Sequence, residues 1–94
     1  MATVSVIFGK WHSSKPVIAR RNQSEAITSS GVSQTSSNTG TKDDDCVEVT
    51  TTGNAVWVTL DGTTASSGTG FLLPDGTTRH FDAGFGTVVK VIDN

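Results

Sequence analysis

Apolar and polar residues alternate one by one in four stretches of this chain. Val4, Val6 and Phe8 share one side of "TVSVIF", Val47 and Val49 one side of "CVEVT", Val56, Val58 and Leu60 one side of "AVWVTL", and Val89 and Val91 one side of "VVKVID". A period of two carried by β-branched residues predicts strands half buried against a core. Turn residues separate them. Gly53-Asn54 has the spacing of a tight hairpin between the Val47 and Val56 strands, and Asp61-Gly62 ends the latter.

In "GFLLPDGTTRHF", residues 70–81, Pro74 presets φ, Asp75 follows easily and Gly76 accepts a positive φ. This predicts a β-turn over 73–76 joining a strand at 71–73 to one at 77–81. Alternation then sends Phe71 and Leu73 to one side and Leu72 to the other, and sets Arg79 and Phe81 opposite His80. After the glycine corner "DAGFG" comes the last strand, so the C-terminal half reads as about five short antiparallel strands. The N-terminal half holds one or two strands around Val17-Ile18 and Ala26-Ile27, with a short helix as an open alternative. Residues 31–45, nearly free of large apolar side chains, read as a polar loop with room for a solvated edge strand. The expected fold is a single all-β domain over 1–94, a small antiparallel sandwich or barrel, jelly-roll-like, of about six to eight short strands.

Composition agrees with strands and many corners. Ser, Thr and Gly supply 36 of the 94 residues, and only 34% are hydrophobic. A chain this short buries little more than about 60% of its unfolded surface, so its own core is thin. Its single cysteine, Cys46, cannot form an internal disulfide, which leaves a metal, partner subunits or docking onto something larger as ways to support the fold. No apolar run approaches the roughly 18 residues of a membrane span, and "MATVSVIFGKWH" lacks the pattern of a secretion signal. Synthesis in the cytoplasm and no membrane partner are therefore expected, with Asn22-Gln23-Ser24 taken as a chance match to the glycosylation triplet.

Net charge is −2, unlike the strongly basic balance of a dedicated nucleic-acid binder, and no direct nucleic-acid partner is expected. The charge is unevenly spread. Residues 1–24 form a basic segment with Lys10, Lys15, Arg20 and Arg21 and no acid, whereas residues 25–94 carry nine acids against three bases. Such a segment can orient the chain on an acidic neighbour or simply stand in solvent.

Candidate chemistry changes this picture little. His80, Asp82 and the many serines allow a hydrolytic triad on paper, but no G-x-S-x-G elbow is present and 94 residues leave little room for a pocket. No catalytic residue is assigned. "KDDDCVE" offers three carboxylates to a calcium ion without the ligand spacing of an EF-hand, and reads better as a solvated, self-repelling turn. No metal or cofactor is expected. Cys46 reads as a small buried hydrophobe. Trp57, opposite Val56 and Val58 in the alternation, is a second-layer core residue or a contact anchor. Trp11, between Lys10 and His12, suits a cation–π contact, a stacked sugar or an anchored arm.

Residues 55–93, "AVWVTLDGTTASSGTGFLLPDGTTRHFDAGFGTVVKVID", resemble small tailed-bacteriophage virion proteins: a "VWV" strand, a Gly, Ala and Ser-rich connector, "GTGFLLPDG", a polar strand closing on Phe, a glycine corner and a final "VVKVID". The N-terminal "FGKWHSSKPVIARRNQSEAITSSG" is compatible with the same group. The resemblance implies a virion structural protein made in the cytoplasm of the host bacterium, a head-decoration module or else a neck or tail component. Its expected partners are the major capsid protein, other virion proteins or copies of itself in a homo-oligomer. The residues expected at such contacts are Trp11, Lys15, Arg20, Arg21, Trp57, Phe71 and Leu72. A carbohydrate-binding β module using Trp11 or Trp57 is the alternative from another class.

Overall fold

The computed structural model describes residues 1–12 and 18–94, and of Ala19 and Arg20 the backbone alone. Its strands are β1 (Thr3–Trp11), β2 (Ile18–Thr28), β3 (Gln34–Thr35), β4 (Cys46–Thr52), β5 (Val56–Thr59), β6 (Phe71–Leu73), β7 (Thr78–Asp82) and β8 (Lys90–Asp93). They form two four-stranded antiparallel sheets, β2-β1-β4-β7 and β3-β8-β5-β6, with no helix among the described residues. From β2 onward every connection crosses between the sheets except the one between β5 and β6. That winding is the jelly-roll-like path expected of a small all-β chain.

The alternation builds the core. Val4, Val6 and Phe8 of β1 and Val47 and Val49 of β4 point inward from the first sheet, and Val56, Val58, Leu73, Val89 and Val91 meet them from the second. All are buried, and most are β-branched, so their fixed χ1 angles fill the space between two pleated surfaces at small entropic cost. Leu60, expected on the same face, lies just beyond β5 and is only partly buried against the cluster.

Two expectations need correction. The turn at Gly53 does not close a hairpin, because β4 pairs with β1 and β7 while β5 pairs with β8 and β6. Gly53, at φ +107°, instead carries the chain from one sheet to the other. The Pro74 turn is closed by Thr77 N–H donating to Pro74 O at 3.2 Å, one residue later than expected, and it too joins strands of different sheets. Of the one or two strands expected in the N-terminal half, the structure has one over 18–28, with register shifts against β1 between Phe8 and Gly9 and between Lys10 and Trp11. Val17 lies outside the described residues.

Residues 31–45 contain the short edge strand β3, and the rest of the segment is tied to β2. Glu25 accepts the backbone N–H groups of Ser37 and Asn38 at 3.0 and 2.7 Å, and Gln23 Nε2 donates to Thr39 O at 2.7 Å. Of the three adjacent aspartates only Asp43 is a plain solvated side chain. Asp45 faces Lys10 at 3.7 Å, and Asp44 is 4% exposed. The expected self-repelling turn therefore fails at Asp44, which is buried among donors. Burial opposes its charge, but the backbone N–H of Thr41, Asn22, Gln23 and the Thr41 hydroxyl outweigh that and hold the carboxyl below its ordinary 3.8.

This anchor predicts acid sensitivity. A carboxyl whose folded pKa is depressed stabilises the fold fully above its unfolded pKa, and that contribution is lost as pH falls through the folded pKa. Asp44→Ala, which strips the donors of a charged acceptor, is expected to cost about 2 kcal/mol at neutral pH. Melting curves on both proteins check this: the gap between them should be full at neutral pH and narrow as pH falls below the ordinary carboxylate range and through the depressed pKa of Asp44.

Candidate functional site

The two outer faces differ in kind. On the first sheet, cross-strand rows run Ala26–Ser5–Thr50–Thr78 and Ser24–Ile7–Glu48–His80. Small and hydroxylated side chains dominate, and Thr50 and Thr78 share a hydrogen bond of 2.8 Å. Beside them His80 Nε2 meets Glu48 Oε2 at 3.1 Å, Trp11 Nε1 donates to Asp82 Oδ1 at 3.1 Å, and the Trp11 and His80 rings lie 6.2 Å apart. His80 and Asp82 thus have separate partners, and the triad drawn from sequence is not assembled. Trp11 is half-buried against its own sheet.

The second sheet shows an apolar strip. Trp57 of β5 stands opposite Leu72 of β6 on one side and Ile92 of β8 on the other, so three large side chains lie in one row across the outer face. Period-two geometry forces this, because Val56, Val58, Leu73 and Val91 occupy the inward positions. Trp57 Nε1 is satisfied by Asn94 Oδ1 at 2.8 Å, which fixes the indole along the surface. Leu72 is 40% exposed.

Phe71, the residue before Leu72 on β6, is 43% exposed and turns to the opposite side, where the two sheets meet at their β6 and β7 edges. Its ring lies 4.9 Å from that of Phe81, and the Arg79 guanidinium sits over both, at 5.0 and 5.4 Å from the centroids. The cation covers the seam and leaves part of Phe71 open. Apolar surface therefore continues from Ile92 through Trp57 and Leu72 around the β6 edge to Phe71. Phe85, 84% exposed, stands apart in the corner before Val89.

Of the residues expected at contacts, the fold brings Trp57, Leu72 and Phe71 together. Trp11 and Arg21 belong to the other sheet, with Arg21 exposed opposite Gly9. Arg20 is opposite Lys10 in the backbone ladder, and Lys15 lies outside the described residues. Ile92 and Arg79 were not among the expected contact residues. The alternation placed Ile92 opposite Val91, but only the register of β5 against β8 shows that it adjoins Trp57. Cys46 is buried, with Sγ 3.5 Å from Gly9 O, and burial followed by Asp45, Asp44, Asp82 and Glu48 pushes its thiol up to about 11, so it stays protonated and unreactive.

Among the described residues no group of three or more His, Cys, Asp or Glu side chains is placed to hold a metal. One shallow cleft lies between Leu60, Thr63, Gly70 and Phe71, and another between Lys10, Arg21, Asn22 and Asp43. Asp61, Thr59 and Thr69 also line the first, where Thr63 N–H donates to Asp61 Oδ1 at 3.0 Å. Among known proteins the chain matches no family model, no curated protein and no solved structure.

Proposed function

We propose that the chain is a structural subunit of a tailed-bacteriophage virion, a head-decoration module that works by docking on the major capsid protein or on copies of itself. The observation that carries the reading is the Ile92–Trp57–Leu72 strip on an outer sheet face, continued by Phe71 around the edge. A thin core gains little from side chains on its outside, and aromatic and aliphatic anchors in one row are what a covered interface uses. Likeness of residues 55–93 to small virion proteins supplies the kind of neighbour. A neck or tail position is the alternative within the same class.

Sedimentation of the purified protein, alone and mixed with capsid shells of the phage that encodes it, tests the reading. Self-association or co-sedimentation is expected, and Leu72→Glu should weaken it at least tenfold while leaving the melting temperature of the dilute protein within a few degrees, since Leu72 contributes nothing to the buried cluster. A protein that is monomeric at every concentration and never travels with shells overturns the proposal.

A further inference from the structure

We propose that the free edge of β2 pairs with β2 of a second copy of this chain, antiparallel about a two-fold axis at Ala26, joining two four-stranded sheets into one of eight strands. The inference rests on the assembly reading above and gives the copies a contact separate from the Trp57 strip.

The phase of the ladder shows which backbone groups are free. Ser29 N–H donates to Ala2 O at 2.9 Å, at the end of the register that sets Ile27 against Val4 and Glu25 against Val6. In an antiparallel pair, bonded and non-bonded positions alternate, so residues 25, 27 and 29 turn their backbone toward β1. Ser24, Ala26 and Thr28 turn theirs away, toward an edge with no neighbouring strand. All three are exposed, and among the described residues no backbone bond from outside the sheet reaches Ala26 or Thr28. The contact to this edge is a side-chain one, Asn38 Nδ2 to Ser24 O at 3.4 Å.

Exposed edges are commonly blunted by shortness, lysine, proline, a bulge or an inward-pointing charge. The other edges here are short: β3 has two residues, β6 three and β7 five. β2 has eleven, and both of its register shifts lie in the 18–23 half, leaving residues 24–28 regular. That stretch, Ser-Glu-Ala-Ile-Thr, has no lysine or proline. Its one charge, Glu25, faces the inside and is already held by Ser37 and Asn38.

Self-complementarity selects the register. A two-fold axis perpendicular to the sheet keeps each face on its own side, so the numbers of opposed residues must add to an even total. Centring on Glu25 would set that carboxylate against its own copy. Centring on Ile27 or Thr28 would carry Ser24 past the end of the partner strand. Centring on Ala26 sets Ser24 against Thr28, Ala26 against Ala26 and Glu25 against Ile27. Ala26 then bonds its own copy and Thr28 bonds Ser24, whose carbonyl exchanges its 3.4 Å contact with Asn38 for the partner's N–H; no like charges face each other, and only small side chains meet on the outer side.

Sedimentation equilibrium of the full chain over a wide concentration range tests this with Ala26→Lys. The lysines would face each other across the axis, at a position already exposed in the monomer. Wild type is expected to dimerise reversibly, the variant to associate at least tenfold more weakly with an unchanged melting temperature when dilute, and an equimolar mixture of Ala26→Lys with Ala26→Asp to regain dimers. As a check on register, Ala26→Cys should give a disulfide-linked dimer on mild oxidation. A strictly monomeric wild type overturns the inference, as does association that Ala26→Lys leaves intact. If association ignores Ala26→Lys but is lost in Leu72→Glu, this pairing fails and the proposed function stands. If Ala26→Lys breaks the dimer while Leu72→Glu leaves self-association and shell binding unchanged, the pairing stands and the use of the Trp57 strip fails.

Discussion

Replacing Phe8 by alanine is expected to cost about 3–5 kcal/mol, the range for truncating a fully buried aromatic. Among the described residues Phe8 is the largest completely buried side chain, and it lies between Gln23 of β2 and Val47 of β4, with Phe81 next along the same inner row. A 94-residue domain has a total stability of about 5–14 kcal/mol, so the variant should lose a large part of it and melt roughly 15–30 °C lower. Neighbouring Ile7 provides the control. It points to the outer face beside Glu48 and Ser24 and is half-buried, so Ile7→Ala should cost about 1 kcal/mol. Equal losses for the two would mean that β1 does not bury the side assigned to it.

The contrast between Phe8 and Ile7 also marks what the letters carry. Inward and outward positions follow from a period of two, so the core at Val4, Val6, Phe8, Val47, Val49, Val56 and Val58 was readable without coordinates, as were Trp57 and Leu72 on an outer side. Strand partners were not. Gly53-Asn54 has hairpin chemistry, yet a tight turn fixes only the direction of the chain, and the apolar faces of β4 and β5 are satisfied by opposing each other across the core as well as by lying side by side. The same gap hid Ile92, whose meaning comes from standing beside Trp57. It hid Asp44 too: three aspartates in a row suggest repulsion until Asn22 and Gln23, some twenty residues earlier, are seen to reach the carboxylate.

The two proposed contacts, the Trp57 strip and the β2 edge, would divide the labour of assembly by physical means. The Trp57 strip offers apolar area, which is tolerant of direction and draws its strength from water release. The β2 edge offers backbone donors and acceptors at fixed spacing, which fix orientation and add less area. A subunit that used both would be held by one and aligned by the other.

Gly70→Ala should act on this surface through the backbone. Gly70 has φ +96°, where an L side chain costs about 1–2 kcal/mol, and a Cβ added there would lie 2.2 Å from Val58 O and 2.9 Å from Thr59 Cγ2. The obstructing oxygen belongs to β5, which pairs with β6, so relief requires moving the start of β6 away from its neighbour. Strain and crowding together predict a loss of about 3 kcal/mol or more, a fall in melting temperature on the order of 15 °C. Gly62 and Gly76 have similarly positive φ, +87° and +78°, but open space where a Cβ would stand, so alanine at either should cost only about 1–2 kcal/mol. Thermal melts of the three variants separate the contributions, and a Gly70→Ala loss no larger than the other two would show that β6 is not packed against the Val58 carbonyl. The same displacement should carry Phe71 and Leu72 with it, so under the proposed docking any Gly70→Ala protein that remains folded should bind capsid shells more weakly, whereas folded Gly62→Ala protein should match wild type.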